Sequence, residues 1–123
     1  MIDHAVPRTV SGGEWAFYHA FYPARNALYS SDQFARACGL SSAHLDDLAA
    51  LHLVLGTTVP DVSLKAVANL DYAAGRWLGP VYVGDTLRSQ SEVIGLKQNS
   101  NGKSGVVYVR TQGKNQHNMV VLE

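Results

Sequence analysis

Residues able to move protons or hold a charged group are few in this chain, and three of them fall close together. Asp46, Asp47 and His52 sit in a stretch that is otherwise almost all apolar, running from Leu45 through Leu48, Ala49, Ala50, Leu51, Leu53 and Val54 to Leu55. A carboxylate and an imidazole on one rigid element are the side chains of general acid–base chemistry, and all three are catalytic candidates. Each also has a plainer explanation. Acidic residues at the start of a helix are favoured by its dipole, and a histidine on an apolar face commonly makes a single internal hydrogen bond. Arg76, with Arg25 behind it, could pair with a substrate carboxylate, since a guanidinium suits planar anions, although surface arginines also serve solubility. Cys38 lies beside apolar residues with no neighbouring base in sequence and reads as a packed thiol.

The elements that would position these groups follow from local signals. Ser11-Gly12-Gly13-Glu14 has capping-box spacing, so a helix begins there; Trp15, Tyr18, His19 and Tyr22 form an aromatic stripe that needs cover, and Pro23 closes the segment. Ser30-Ser31-Asp32-Gln33 starts a second, short helix that Gly39 stops. Ser41-Ser42 are placed to cap a third helix, with Gly56 and Pro60 ending it. Being apolar nearly all round beyond its first turn, that helix is predicted to be buried.

From Leu64 onward the pattern turns to strands, at residues 66–72, 85–96, 106–111 and 119–122. Gly84-Asp85 reads as the tight turn entering the second of these. Asn101-Gly102 marks a hairpin between the second and third, and the flanking Asn99 and Ser100 suggest a loop longer than two residues. One long apolar helix followed by antiparallel strands packs most simply when the sheet curls around the helix, an α+β arrangement of the hotdog type. An acyl-thioester crevice depends on residues 45–55 being swallowed by that wall of strands. An uncovered sheet edge invites pairing, and residues 120–123 read as part of a strand, so a partner domain or a truncated chain is expected.

Composition narrows the function further. The 123 residues suit one domain, and 46 % hydrophobic content supports a core. Ten basic residues balance ten acidic ones, which leaves no field to attract nucleic acid or an anionic membrane. A single cysteine excludes an internal disulfide and a cysteine-rich zinc site, and fits a reducing, cytoplasmic compartment. No stretch is long and apolar enough to span a bilayer, and the first ten residues lack the apolar core of an export signal.

Residues 24–39, Ala24-Arg25-Asn26-Ala27-Leu28-Tyr29-Ser30-Ser31 and the short helix after them, line up with the signature D-x-N-P-x-H-x-D of MaoC-like hydratases, and Gly79-Pro80-Val81-Tyr82-Val83-Gly84-Asp85-Thr86-Leu87 resembles that group's P-V-x-x-G-D-T-L segment. With Leu45-Asp46-Asp47-Leu48, Thr58-Val59-Pro60-Asp61 and Ser91-Glu92-Val93-Ile94-Gly95-Leu96 added in order, the chain resembles the N-terminal half of mesaconyl-CoA hydratases, also called β-methylmalyl-CoA dehydratases.

That resemblance implies reversible hydration of a branched, dicarboxylic enoyl-CoA, with an acyl-CoA as ligand, neither metal nor other cofactor, and a homodimer or second hotdog lobe as partner. In the family an aspartate and a histidine of the signature activate water while N–H groups at the start of the buried helix polarise the thioester carbonyl. Here the signature aspartate is replaced by Ala24, its proline by Ala27, its histidine by Tyr29 and its next aspartate by Ser31; Asn26 alone is kept. A neutral phenol, with a reference pKa of about 10, is no general base near neutrality. Asn26 and Tyr29 are therefore read as substrate-binding residues, together with Arg76. Two alternatives stay open, a non-catalytic acyl-CoA-binding or scaffolding lobe and a thioesterase that uses Asp46 or Asp47 to activate water.

Overall fold

The computed structural model describes residues 1–23 and 25–123; Ala24, the residue at the signature aspartate position, lies outside them. The first helix, α1 (Gly12–Phe21), follows two short strands, β1 (Ile2–Asp3) and β2 (Arg8–Thr9). Its capping box forms as expected: the Glu14 N–H donates to Ser11 Oγ at 3.1 Å and the Ser11 N–H to the Glu14 carboxylate at 2.8 Å. Burial alone would raise the Glu14 carboxyl, but the Ser11 N–H and the Arg8 guanidinium outweigh it and hold the group below the ordinary carboxylate value. The aromatic stripe is only half covered. Trp15 and Tyr18 pack against the core, whereas Tyr22 is exposed alongside Phe17 and Phe21.

Two short helices follow, α2 (Ala27–Ser30) and α3 (Asp32–Ala37). Ser31 caps α3 through its hydroxyl, and Gly39 ends it at φ +89°, a backbone that a side chain resists. The principal helix, α4 (Asp47–Val62), departs from the sequence reading at both ends. It starts at Asp46 as N-cap rather than at Ser41-Ser42; Ser42 spends its hydroxyl on the Ala43 carbonyl, and residues 43–46 run non-helical ahead of the cap. Its C-terminal end passes through Gly56 and Pro60 to Val62. Proline's missing N–H leaves the Gly56 carbonyl without its helical donor. The hydroxyls of Thr57 and Thr58 donate back to the Val54 and Leu55 carbonyls at 2.7 and 2.8 Å, the back-bonding that lets a helix bend.

Three further strands, β3 (Thr86–Gln98), β4 (Gly105–Lys114) and β5 (Val120–Leu122), give an antiparallel sheet in the order β1-β3-β4-β5, with β2 also paired to β3. The β3–β4 hairpin turns through Asn101 and Gly102, Gly102 at φ +66°, and the ladder closes at Gln98 and Gly105. The expected strand at 66–72 is absent: this segment has no neighbour to supply a ladder and leaves Val67, Leu70 and Tyr72 exposed. Further along, Trp77 bridges Leu122 beside β5.

The core forms where α4 lies against the sheet, from Val10, Leu45, Ala49, Ala50, Val54, Val81, Leu87, Val121 and Leu122. α4 seats closely because β4 carries Gly113 beneath it; a Cβ there would stand 2.6 Å from Val54 Cγ2. Burial of α4 is one-sided, which corrects the expectation of a helix enclosed all round, so the described residues do not by themselves close the crevice that depended on that enclosure. Ala49, Ala50, Val54 and Thr58 face the sheet, whereas Leu48, His52 and Val59 are exposed, because a single sheet covers only one side of a helix.

The N-terminal strap is stitched to this layer by a polar chain, buried at His4 and Ser91 and open to solvent at Asp61. His4 Nδ1 lies 2.7 Å from the Asp61 carboxylate, its Nε2 2.7 Å from Ser91 Oγ, and Ser91 Oγ 2.8 Å from Thr111 Oγ1. Among the described residues no helix is long and apolar enough to cross a membrane.

Candidate functional site

Five of the six candidate residues are organised by helix ends or strand edges, and two lines of them meet at the start of α4. Asp46 spends one carboxylate oxygen capping the Leu48 N–H at 2.8 Å. Asp47 follows in the first turn, and its carbonyl accepts the Trp77 indole N–H at 2.8 Å. Both aspartates are half-buried. Tyr29, on α2, stands beside them. Burial first, then the Asp47 carboxylate as hydrogen-bond acceptor and as charge, and then Asp46, push its phenol up to about 12. Burial and the charge of Asp46 raise the Tyr18 phenol as well.

A residue that the sequence reading passed over completes this cluster. His44 is 8 % exposed and stands edge-on to Tyr29, ring centroids 4.9 Å apart, with Tyr82 at 6.5 Å on a second contact. Its Nδ1 lies 2.9 Å from the Leu45 carbonyl, while backbone bonds tie the loop on both sides: the His44 N–H to the Leu28 carbonyl at 3.2 Å and the Leu45 N–H to the Val81 carbonyl at 2.7 Å. The signal for it was weak, because residues 41–46 read as the first turn of a helix in which His44 would be one more exposed polar side chain.

The remaining candidates lie apart from the cluster. Asn26 caps α2, its side-chain oxygen accepting the Leu28 N–H at 3.0 Å, and is exposed. His52 is six residues beyond Asp46, about 9 Å along the helix axis at the standard rise, and is exposed in a shallow groove of about 230 Å³ lined by Val6, Arg8, Gly56, Thr57 and Pro60. Arg76 reaches Glu123 with its guanidinium at 2.6 Å, and the two residues also exchange backbone hydrogen bonds at 2.8 and 2.9 Å. Gln112 and then Arg76 hold the Glu123 carboxyl below its ordinary value, so Arg76 already has an anionic partner. The structure thus gathers Asp46, Asp47 and Tyr29, leaves Asn26 on the neighbouring short helix, and sets His52 and Arg76 elsewhere.

Comparison with known proteins gives this geometry a context. No family model matches the chain. It is 71 % identical, over 98 % of its length, to mesaconyl-CoA hydratase of Cereibacter sphaeroides, within that protein's N-terminal half, and spans about a third (35 %) of the relative's length. Among solved structures, a MaoC-domain dehydratase from Chloroflexus aurantiacus superposes with a TM-score of 0.93 at 54 % identity, over 98 % of this chain and 34 % of that one. A protein of Mycobacterium tuberculosis described as having a double hotdog fold superposes with a TM-score of 0.85 at 25 % identity, over 98 % of this chain and 38 % of its own. Both the sheet laid against one long helix and the alignment over 98 % of the chain lead to one conclusion: the fold is of the hotdog type, and the chain is similar over nearly its whole length to MaoC-domain proteins.

Proposed function

We propose that this chain is one lobe of a cytoplasmic acyl-CoA hydratase/dehydratase that adds water reversibly across the double bond of a branched enoyl-CoA such as mesaconyl-CoA, with the acid–base pair supplied by a second hotdog lobe and with no further cofactor. The extent of the match to a mesaconyl-CoA hydratase supports the substrate class. The division of labour rests on one observation: at the signature histidine position stands the Tyr29 phenol, held protonated up to about 12. It cannot take a proton from water near neutrality.

Hydration needs a base to remove a proton from the attacking water, a donor to return one to the carbon next to the thioester, and stabilisation of the enolate-like charge between the two steps. On this lobe Asp46, Asp47 and His52 are the acid–base candidates and Asn26, Tyr29 and Arg76 the substrate-contact candidates. Of these, Asp46 is committed to capping and Arg76 to Glu123. A pocket-shaping and orienting part in the reaction fits such a set better than proton transfer does. The same commitments favour a second reading, in which the lobe binds acyl-CoA without itself being catalytic.

Incubation with mesaconyl-CoA distinguishes these. The chain alone is expected to leave the enoyl-thioester absorbance unchanged, and the chain joined to a MaoC-like lobe that keeps the signature Asp and His is expected to lower it as water adds. A flat trace from the folded two-lobe protein removes the hydratase reading, and release of free thiol identifies a thioesterase instead.

A further inference from the structure

Of the six asparagines in the chain, Asn101 alone is followed by a glycine, and both residues stand exposed at the tip of the β3–β4 hairpin. The backbone nitrogen after an asparagine lies within a five-membered ring of that asparagine's own side-chain carbon and can attack it. What restrains the attack is a side chain on the following residue and hydrogen bonds that hold the reacting groups apart. Gly102 lifts the first restraint, having no Cβ and open space where one would stand. Its φ of +66° is one that other residues resist, so the turn itself calls for glycine here. The bonds of the Asn101 side chain favour the attack. Oδ1 accepts the Lys103 N–H at 3.0 Å and, more weakly, the Ser104 hydroxyl at 3.4 Å, so two donors already face the oxygen on which charge builds as Cγ becomes tetrahedral. Neither bond involves Nδ2, the group that must leave. One bond opposes: the Gly102 N–H donates to the Asn99 carbonyl at 3.0 Å and has to open first, which an exposed turn allows. The other asparagines are held or shielded. Asn99 precedes Ser100 and gives Nδ2 to Ser104 Oγ at 2.8 Å, Asn69 gives its Nδ2 to the Tyr72 hydroxyl, Asn26 caps α2, Asn115 is buried, and Asn118 is followed by the bulky Met119.

We propose that Asn101 is a site of self-modification, at which the hairpin tip loses ammonia and gains a carboxylate as the molecule ages. The Gly102 nitrogen bonds to Asn101 Cγ, the Cγ–Nδ2 bond breaks, and Nδ2 departs as ammonia with the proton of the Gly102 N–H, which leaves a closed succinimide. Water then opens the ring at either carbonyl. Attack at Cγ gives aspartate; attack at the backbone carbonyl gives isoaspartate, in which the main chain runs through the side-chain carbon. Either product adds a negative charge to a chain whose formal net charge is zero, and isoaspartate also lengthens the turn that joins β3 to β4.

The test is incubation of the full chain in mildly alkaline buffer beside a free peptide of residues 97–104, which sets the rate of the bare sequence. Isoelectric focusing is expected to show an acidic form of the folded chain accumulating within about tenfold of the peptide's rate. Mass spectrometry of the tryptic fragment 98–103, which holds both Asn99 and Asn101, is expected to place the change at Asn101, about tenfold ahead of Asn99, with isoaspartate among the products. Asn101→Gln, whose ring would need a further carbon, is expected to abolish the change at that position. Gly102→Ala, which sets a side chain beside the attacking nitrogen, is expected to slow it about tenfold. An acidic form that arises first at another asparagine overturns the proposal, as does a folded chain still unchanged once the peptide has converted. Aspartate without isoaspartate would mean direct hydrolysis and overturns the ring-closing step. The native chain carries these outcomes, so none of them depends on a variant folding.

Discussion

Tyr29 shows how one side chain can occupy a signature position and carry different chemistry. Its phenol is raised to about 12, against an ordinary value near 10, by burial and by the Asp47 carboxylate. A raised value means that the protonated form is favoured in the folded state. The associated stability is therefore complete below about pH 10 and is lost as pH rises from there through about 12. Thermal midpoints measured across that window are expected to fall steeply for the native chain and less steeply for Tyr29→Phe; identical slopes would show that Tyr29 does not sense its neighbours. The sequence exposed Tyr29 only because neighbouring residues matched a signature. Asp46 and Asp47 were legible twice over, as helix-end carboxylates and as candidates. His44 was not legible, since its significance depends on a loop conformation and on two tyrosines distant in sequence.

Elements were read best where a local rule settles them. The Ser11 capping box, the Gly39 stop and the Asn101-Gly102 turn each depend on a few adjacent residues, and each is found. Misreadings occurred where tertiary contacts decide. Gly56 and Pro60 signal a break, yet α4 continues to Val62 while Thr57 and Thr58 bond back into it and Asp61 is drawn to His4. The strands β1 and β2 are two residues each, too short for any periodicity, and exist because the edge of β3 accepts them. Contact between α4 and β4 yields a sharp expectation. Gly113→Ala forces a methyl to within 2.6 Å of Val54 Cγ2 and is expected to cost about 1–3 kcal/mol, as overpacking does. Denaturant unfolding of a cycle with Val54→Ala checks it: Gly113→Ala should cost markedly less once the Val54 methyls are gone, and equal costs in both backgrounds would mean that the strand relaxes away.

At the scale of the molecule, α+β class and sheet-on-helix packing followed from the strand patterns at 85–96, 106–111 and 119–122 after the apolar helix, whereas the strand read at 66–72 and the enclosure of the helix did not hold. The described residues form one sheet, so Leu48 and Val59 on α4 stay exposed, as do Leu64, Val67, Leu70 and Tyr72 in the segment after it. So much apolar surface on one chain is the mark of an interaction face. Sedimentation velocity is expected to show concentration-dependent association of the chain, and the pair Leu70→Asp and Tyr72→Asp to reduce it while leaving the thermal midpoint nearly unchanged, because both side chains are exposed. A monomer at every concentration would contradict this.

The chain of contacts through His4 also sets an order of events during synthesis. Residues 2–10 leave the ribosome well before their partners, which are Asp61 and the strand beginning at Thr86. The nascent chain must carry these residues unpaired while the helices emerge, and it can anchor them only after Ser91 has appeared. A chain stalled before that point would hold α4 without the sheet beneath it and without its first strands, and that is the species a chaperone would meet.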